Sequence, residues 1–327
     1  MKAWQVTRLA APAEALRWTE LDDPVAGAGQ LLVRVRAAAA NFPDVLMCRG
    51  EYQVSPELPF TPGVELCGEV LAVGAGVTDF AVGDRVIGVT VMPHGAFAEL
   101  AVVNAHEVVP APAVLEDAQA AAFHIAYQTG WFGLHRRAAL RRGETLVVHA
   151  AAGGVGSAAV QLGKAAGARV IAVVGGAAKA ELARAQGADI VVDRTAEDFV
   201  AVVRAATEGR GAEVIYDPVG GETYTRSAKC VAFEGRIVVV GFSGGTVQAP
   251  ALNHALVKNY SILGLHWGLY AQRRDPAVRE AHAALTDLAD RGLIAPVIDS
   301  LLPLVDLPGG LTRLAAGATV GRVVLQP

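Results

Sequence analysis

The stretch that most constrains this chain is Thr145-Leu146-Val147-Val148-His149, which runs directly into Ala150-Ala151-Ala152-Gly153-Gly154-Val155-Gly156. An unbroken apolar run reads as a strand buried on both faces, and the small-residue turn opens a helix over about 156–166. The rhythm then repeats. A strand over 169–174 precedes a helix over about 177–186, and further apolar strands follow at 190–192, 213–217 and 236–240. Fully apolar strands spaced by amphipathic helices predict an α/β domain with a doubly wound parallel sheet, placed at 126–262.

A turn this tight leaves no side chain where a pyrophosphate would approach the backbone. The helix beyond it offers free N–H groups and the positive end of a dipole. Gly153, Gly154 and Val155 are therefore the candidate phosphate-binding residues, although Ala151 stands where the glycine fingerprint has its first glycine. The dinucleotide is chosen about 20 residues further on, where an NAD site carries an acid for the ribose 2′-hydroxyl. Here the chain reads Val174-Gly175-Gly176-Ala177-Ala178-Lys179, and no acid intervenes between Gly156 and Glu181. Gly175 gives space, while Lys179 and Arg194 are candidate donors to a 2′-phosphate. NADP(H) is favoured over NAD.

Residues 1–125 have a different texture. Short Val-rich runs at 31–36, 69–73 and 85–89 are separated by Gly, Pro and Asp turns, which predicts a compact, mostly β module. The last segment, 263–327, mixes a helix over about 275–291 with short strands and is expected to return to that module. With 53% hydrophobic residues the chain can bury the cores of two domains. A formal charge of -4, with no basic stripe, argues against nucleic acid as a partner. No run of 18 apolar residues predicts a membrane span. The start, Met1-Lys2-Ala3-Trp4-Gln5-Val6, lacks the pattern of a signal peptide. Cys48, Cys67 and Cys230 are scattered without a CxxC pair, so neither a disulfide framework nor a four-cysteine zinc knot is expected, and the cytoplasm is the expected home.

Several further motifs fall in a recognisable order: Asn41-Phe42-Pro43-Asp44, Pro59-Phe60-Thr61-Pro62-Gly63-Val64-Glu65, the phosphate loop, and Gly321-Arg322-Val323-Val324-Leu325. Over nearly its whole length the chain resembles the medium-chain dehydrogenases/reductases, in their zinc-independent NADPH:quinone oxidoreductase (zeta-crystallin-like) branch. The resemblance implies a chaperonin-10-like β fold for the first domain, completed by the C-terminal segment. It implies an active site in the cleft against the nucleotide domain, and by analogy a homodimer joined through the nucleotide-domain sheet. Zinc-dependent members bind metal through a Cys and a His where this chain has Asn41 and Val64. A carboxamide and an alkyl group are not zinc ligands, so no metal site is expected.

The resemblance also places Asn41 and Asp44 beside the nicotinamide ribose and the substrate, where Asn41 can bond the ribose or the acceptor oxygen. Tyr52 falls where relatives put a tyrosine at the substrate mouth, and its phenol is a candidate donor to a developing oxyanion. Thr129 matches a threonine on the nicotinamide side of the cofactor. Phe242 and Ser243, in a loop following a strand, are candidates for the nicotinamide pocket. His149 closes a buried strand and is expected to be packed rather than catalytic. The implied activity is hydride transfer from NADPH to a quinone or another conjugated carbonyl. Two rivals share the site: an enoyl or acryloyl thioester reductase, and a catalytically idle NADPH-binding protein.

Overall fold

A computed structural model describes all residues, Met1–Pro327. The strands in chain order are β1 (Lys2–Val6), β2 (Leu16–Glu20), β3 (Gln30–Ala39), β4 (Glu65–Val73), β5 (Arg85–Val89), β6 (Leu100–Asn104) and β7 (Val108–Pro110). Then come β8 (Thr145–His149), β9 (Arg169–Val174), β10 (Ile190–Asp193), β11 (Ala212–Asp217), β12 (Val231–Val239) and β13 (Ser261–Gly264). Two more close the chain, β14 (Ile298–Pro303) and β15 (Arg322–Gln326).

The chain divides into two compact units. The first comprises Met1–Ile125, Ala271–His282 and Ala295–Pro327; the second comprises Ala126–Tyr270 and Ala283–Ile294. The segment 263–327, assigned as a whole to the first domain from sequence, is thus shared. Residues up to Tyr270 stay with the second unit, and the helix Ala277–Asp290 begins in one unit and ends in the other.

In the first unit, β3 alternates: Leu31, Val33, Val35 and Ala37 are buried while Arg34 and Arg36 are exposed. That two-residue period puts one face of the strand on the core. Strand β3 pairs antiparallel with β4, β6 and β15, and the sheet runs β14-β15-β3-β4-β5-β7. The C-terminal strand therefore lies beside the start of the chain, with Leu325 opposite Ala38 and Val324 opposite Ala39. Its core gathers Trp4, Phe60, Phe97, Leu66, Leu307 and Leu325.

In the second unit six strands run parallel in the order β10-β9-β8-β11-β12-β13. Every residue of β8 is buried, which explains why its centre, Leu146-Val147-Val148, is continuously apolar rather than alternating. The direction of winding reverses between β8 and β11. In open parallel sheets the crevice for ligands opens at such a reversal, at the carboxyl ends of the strands. This is the doubly wound sheet of the sequence reading. His149, the last residue of β8, is packed as expected: its Nε2 lies 2.8 Å from Ser227 Oγ, and burial pushes its pKa down to about 3.

Candidate functional site

The loop after β8 ends at the reversal point. Ala150 takes a left-handed conformation (φ 47°), and Gly156 packs so tightly beneath it that a Cβ would meet the Ala150 carbonyl oxygen at 2.1 Å. Only glycine fits there. Ala151, in the place of the first glycine, is fully buried and causes no conflict. The helix begins at Gly154, two residues earlier than the periodicity indicated, and runs to Ala165. Its N-cap is Gly153, and no side chain caps its first amides. Gly153, Gly154 and Val155 stay partly exposed at this end, so the N–H groups and the positive dipole end remain available to an anion.

The end of β9 forms a second part of the site. A Cβ on Gly175 would lie 3.2 Å from Arg194 Nη2, so the guanidinium covers the glycine. Lys179 lies half-buried in the first turn of the helix Ala177–Ala185. The fold also delivers an acid that spacing along the chain did not show. Asp193 ends β10 opposite Val174, and its Oδ1 accepts from Gly176 N at 3.0 Å, Thr195 N at 3.0 Å and Thr195 Oγ1 at 2.7 Å. These bonds, that of the Gly176 amide first, hold its pKa below the usual range. That oxygen is engaged by the protein's own donors.

The loops after β11 and β12 meet each other. Ser243 N donates to Pro218 O at 3.0 Å, and Phe242 lies over Gly220, where a Cβ would come within 2.7 Å of its ring. Phe242 and Ser243 are exposed beside this junction. Thr129 is nearly buried in the helix His124–Trp131, which approaches the phosphate-loop helix closely enough that a Cβ on Gly130 would strike Leu162.

In the first unit, Asn41 caps the helix Phe42–Arg49 and forms a capping box with Asp44. Asp44 is fully buried: Oδ2 accepts from Asn41 N at 2.8 Å, and Oδ1 from Gly63 N at 3.1 Å and Val64 N at 3.2 Å. Burial raises its pKa to about 7 against the pull of those amides. Asp44 thus braces the loop at Gly63 and is shielded from solvent. Tyr52 is partly buried against the same core, and burial, with Asp44 nearby, raises the pKa of its phenol further above neutrality. It can only donate or accept as the neutral hydroxyl at physiological pH.

Two further residues join this group. Glu65 and Arg322 form a buried ion pair at 2.7 Å, and Glu65 also accepts from Asn41 Nδ2 at 2.9 Å. Both lie inside motifs quoted from the sequence, but 257 residues separate them, and no local pattern pairs them. No group of three or more His, Cys, Asp or Glu side chains gathers in an arrangement suited to a metal.

Residues 154–283 match the family described as zinc-binding dehydrogenase, and residues 27–113 match the alcohol dehydrogenase GroES-like domain. The chain is 37% identical to the quinone oxidoreductase-like protein 2 homolog of Nematostella vectensis, over 92% of this chain and 82% of that protein. The chain belongs to the medium-chain dehydrogenase/reductase family, in its quinone oxidoreductase branch. Solved structures of the family superimpose over its full length. A probable oxidoreductase from Mycobacterium abscessus shares 37% identity, with a TM-score of 0.90, over 100% of this chain and 99% of that one. The quinone oxidoreductase of Escherichia coli, solved as a complex with NADPH, shares 31% identity, with a TM-score of 0.91, over 100% of both chains. Within this family the Rossmann-type sheet is the second unit and the GroES-like β fold the first.

Proposed function

We propose that this protein is an NADPH-dependent reductase that passes a hydride to quinones or other conjugated carbonyl compounds without zinc. One observation carries the reading: an uncapped helix N-terminus at the sheet's reversal point stands near a strand end where the guanidinium of Arg194 lies over Gly175 and Lys179 stands in the first turn of the next helix. The first feature suits a pyrophosphate and the second a 2′-phosphate. The E. coli relative binds NADPH, in agreement.

NADPH, when bound, supplies the hydride from its nicotinamide ring. The protein's own task is positioning. Gly153, Gly154 and Val155 hold the pyrophosphate; Lys179 and Arg194 hold the 2′-phosphate; Thr129, Phe242 and Ser243 contact the nicotinamide end. Asn41 meets the nicotinamide ribose, and Tyr52 donates its phenolic hydrogen to the acceptor oxygen as charge builds there. A reduced quinone takes its protons from water, so no strong buried acid is needed. Zinc independence is supported by Asn41 and Val64 at the two ligand positions, although the family's description includes zinc.

Three buried free cysteines, with no disulfide among them, fit a cytoplasmic location; no helix is long and apolar enough to cross a membrane. A panel of quinones, enones and enoyl thioesters, each tested for NADPH oxidation, separates the acceptor classes. Quinone turnover exceeding that of enoyl thioesters is the expected result. Exclusive turnover of enoyl thioesters would replace this reading with the thioester reductase, and NADPH binding without turnover of any acceptor would reduce the protein to a binder.

A further inference from the structure

The amide of Asn41 has no orientational freedom. Its Nδ2 lies 3.1 Å from Ala39 O and 2.9 Å from Glu65 Oε2. A backbone carbonyl can only accept, so the nitrogen must face this side, and both of its hydrogens are then used. The remaining polar atom, Oδ1, also serves the capping box with Asp44 and keeps a second lone pair.

Glu65 is held as firmly as the amide it holds. Its Oε2 accepts from Arg322 Nη2 at 2.7 Å as well as from Asn41, and its Oε1 accepts from Ile125 N at 2.7 Å. Glu65 is fully buried and Arg322 nearly so. A buried ion pair contributes little net stability, because desolvating both ions offsets their attraction. Stability therefore does not account for the pair. A carboxylate fixed by a guanidinium on β15 and by a backbone amide at the start of the helix His124–Trp131 does supply a rigid acceptor for Asn41.

We infer that Glu65 is a positioning residue for Asn41: with Arg322 it locks the amide so that Oδ1 accepts from a hydroxyl of the nicotinamide ribose, leaving no side-chain hydrogen for the acceptor oxygen. This rests on the reading that Asn41 meets the cofactor, and it narrows Asn41 to one of the two partners its type allowed. Donation to the acceptor then falls to another side chain, and Tyr52 is the one placed at the substrate mouth.

The test is a double-mutant cycle on NADPH affinity, read by fluorescence titration, with Asn41→Ala, Glu65→Asp and the double variant. Aspartate keeps a charge for Arg322 and withdraws the carboxylate from Asn41 by one methylene. Each single variant is expected to weaken NADPH roughly three- to tenfold, the range of one net hydrogen bond. The double variant should bind no more weakly than Asn41→Ala alone, and the quinone KM of Glu65→Asp should stay at its wild-type value. Additive losses in the double variant, or a Glu65→Asp protein that binds NADPH as wild type while Asn41→Ala does not, would overturn the inference and leave the cofactor reading intact. An Asn41→Ala protein with undiminished NADPH affinity would instead remove the reading of Asn41 itself. Should Glu65→Asp not fold, Arg322→Lys, which keeps the cation with fewer donors, enters the same cycle with the same expected outcome.

Discussion

Asp44 shows how far a single side chain can be read before its surroundings are known. In sequence it stands in Asn-Phe-Pro-Asp, and the family resemblance sets it beside the nicotinamide ribose and the substrate. In the structure it is sealed against Gly63 and Val64, where burial raises its pKa to about 7. Because the native value lies above the unfolded one of about 3.9, the native state holds this proton more tightly. The resulting stability is fully present below about pH 4 and is lost as pH rises toward about 7. Asp44→Asn leaves a backbone amide without its acceptor and should cost about 1–3 kcal/mol at low pH. In thermal unfolding, the gap in stability between wild type and Asp44→Asn should narrow as pH rises from about 4 to 7. A gap independent of pH would mean that Asp44 is ionised throughout. At the strand end of β9 the residues were more legible, because absence of an acid can be read directly. What could not be read was Asp193, which reaches Gly176 only through the pairing of β10 with β9. Lys179→Ala should raise the KM for NADPH at least about tenfold while leaving that for NADH nearly unchanged. Gly175→Asp should reverse the preference, since its carboxylate would oppose the 2′-phosphate and also draw Arg194, whose guanidinium lies beside the new Cβ. Equal weakening of both cofactors in Lys179→Ala would show that this pocket does not hold a phosphate.

Among the elements, the inner strands β8 and β9 of the second unit were the easiest to find, because burial on both faces makes their centres apolar, whereas the half-exposed edge strand β13 offered no such run and was missed. Their limits were less clear. Strand β12 begins at Val231, several residues before the apolar run at 236, and the phosphate-loop helix takes in Gly154, a residue of poor helical propensity. In each case tertiary packing outweighs local preference. Strand β13 is the edge of the six-stranded sheet, and the helix Leu252–Lys258 before it exposes Leu252, Leu256 and Val257. A parallel edge strand beside an exposed apolar helix invites pairing with a second copy, in keeping with the homodimer that the family resemblance implies. Light scattering at micromolar concentration should give twice the 33.8 kDa chain mass, and Leu256→Glu with Val257→Glu should lower it toward that of one chain. A single-chain mass for the wild type would rule the dimer out.

At the scale of the whole molecule, the change of texture near residue 125 coincides with the boundary at Ile125 and Ala126, since a change of strand period is visible in any window of sequence. The last segment, 263–327, was expected only to return to the first module, and its detailed path was not visible in that way. Its segments return to the two units by contacts between residues hundreds of positions apart, such as Arg322 with Glu65 and Trp4 Nε1 with Leu304 O. The phosphate loop and the strand-end glycines were legible because each is a local fact. The network around Asn41 was not, because three strands assemble it. The most direct measurement compares kcat/KM for NADPH and NADH with a single quinone acceptor, on protein treated with a metal chelator. Turnover at least about tenfold more efficient with NADPH, and undiminished by the chelator, is the predicted result. Equal use of NADH, or activity lost on chelation and restored by zinc, would contradict it.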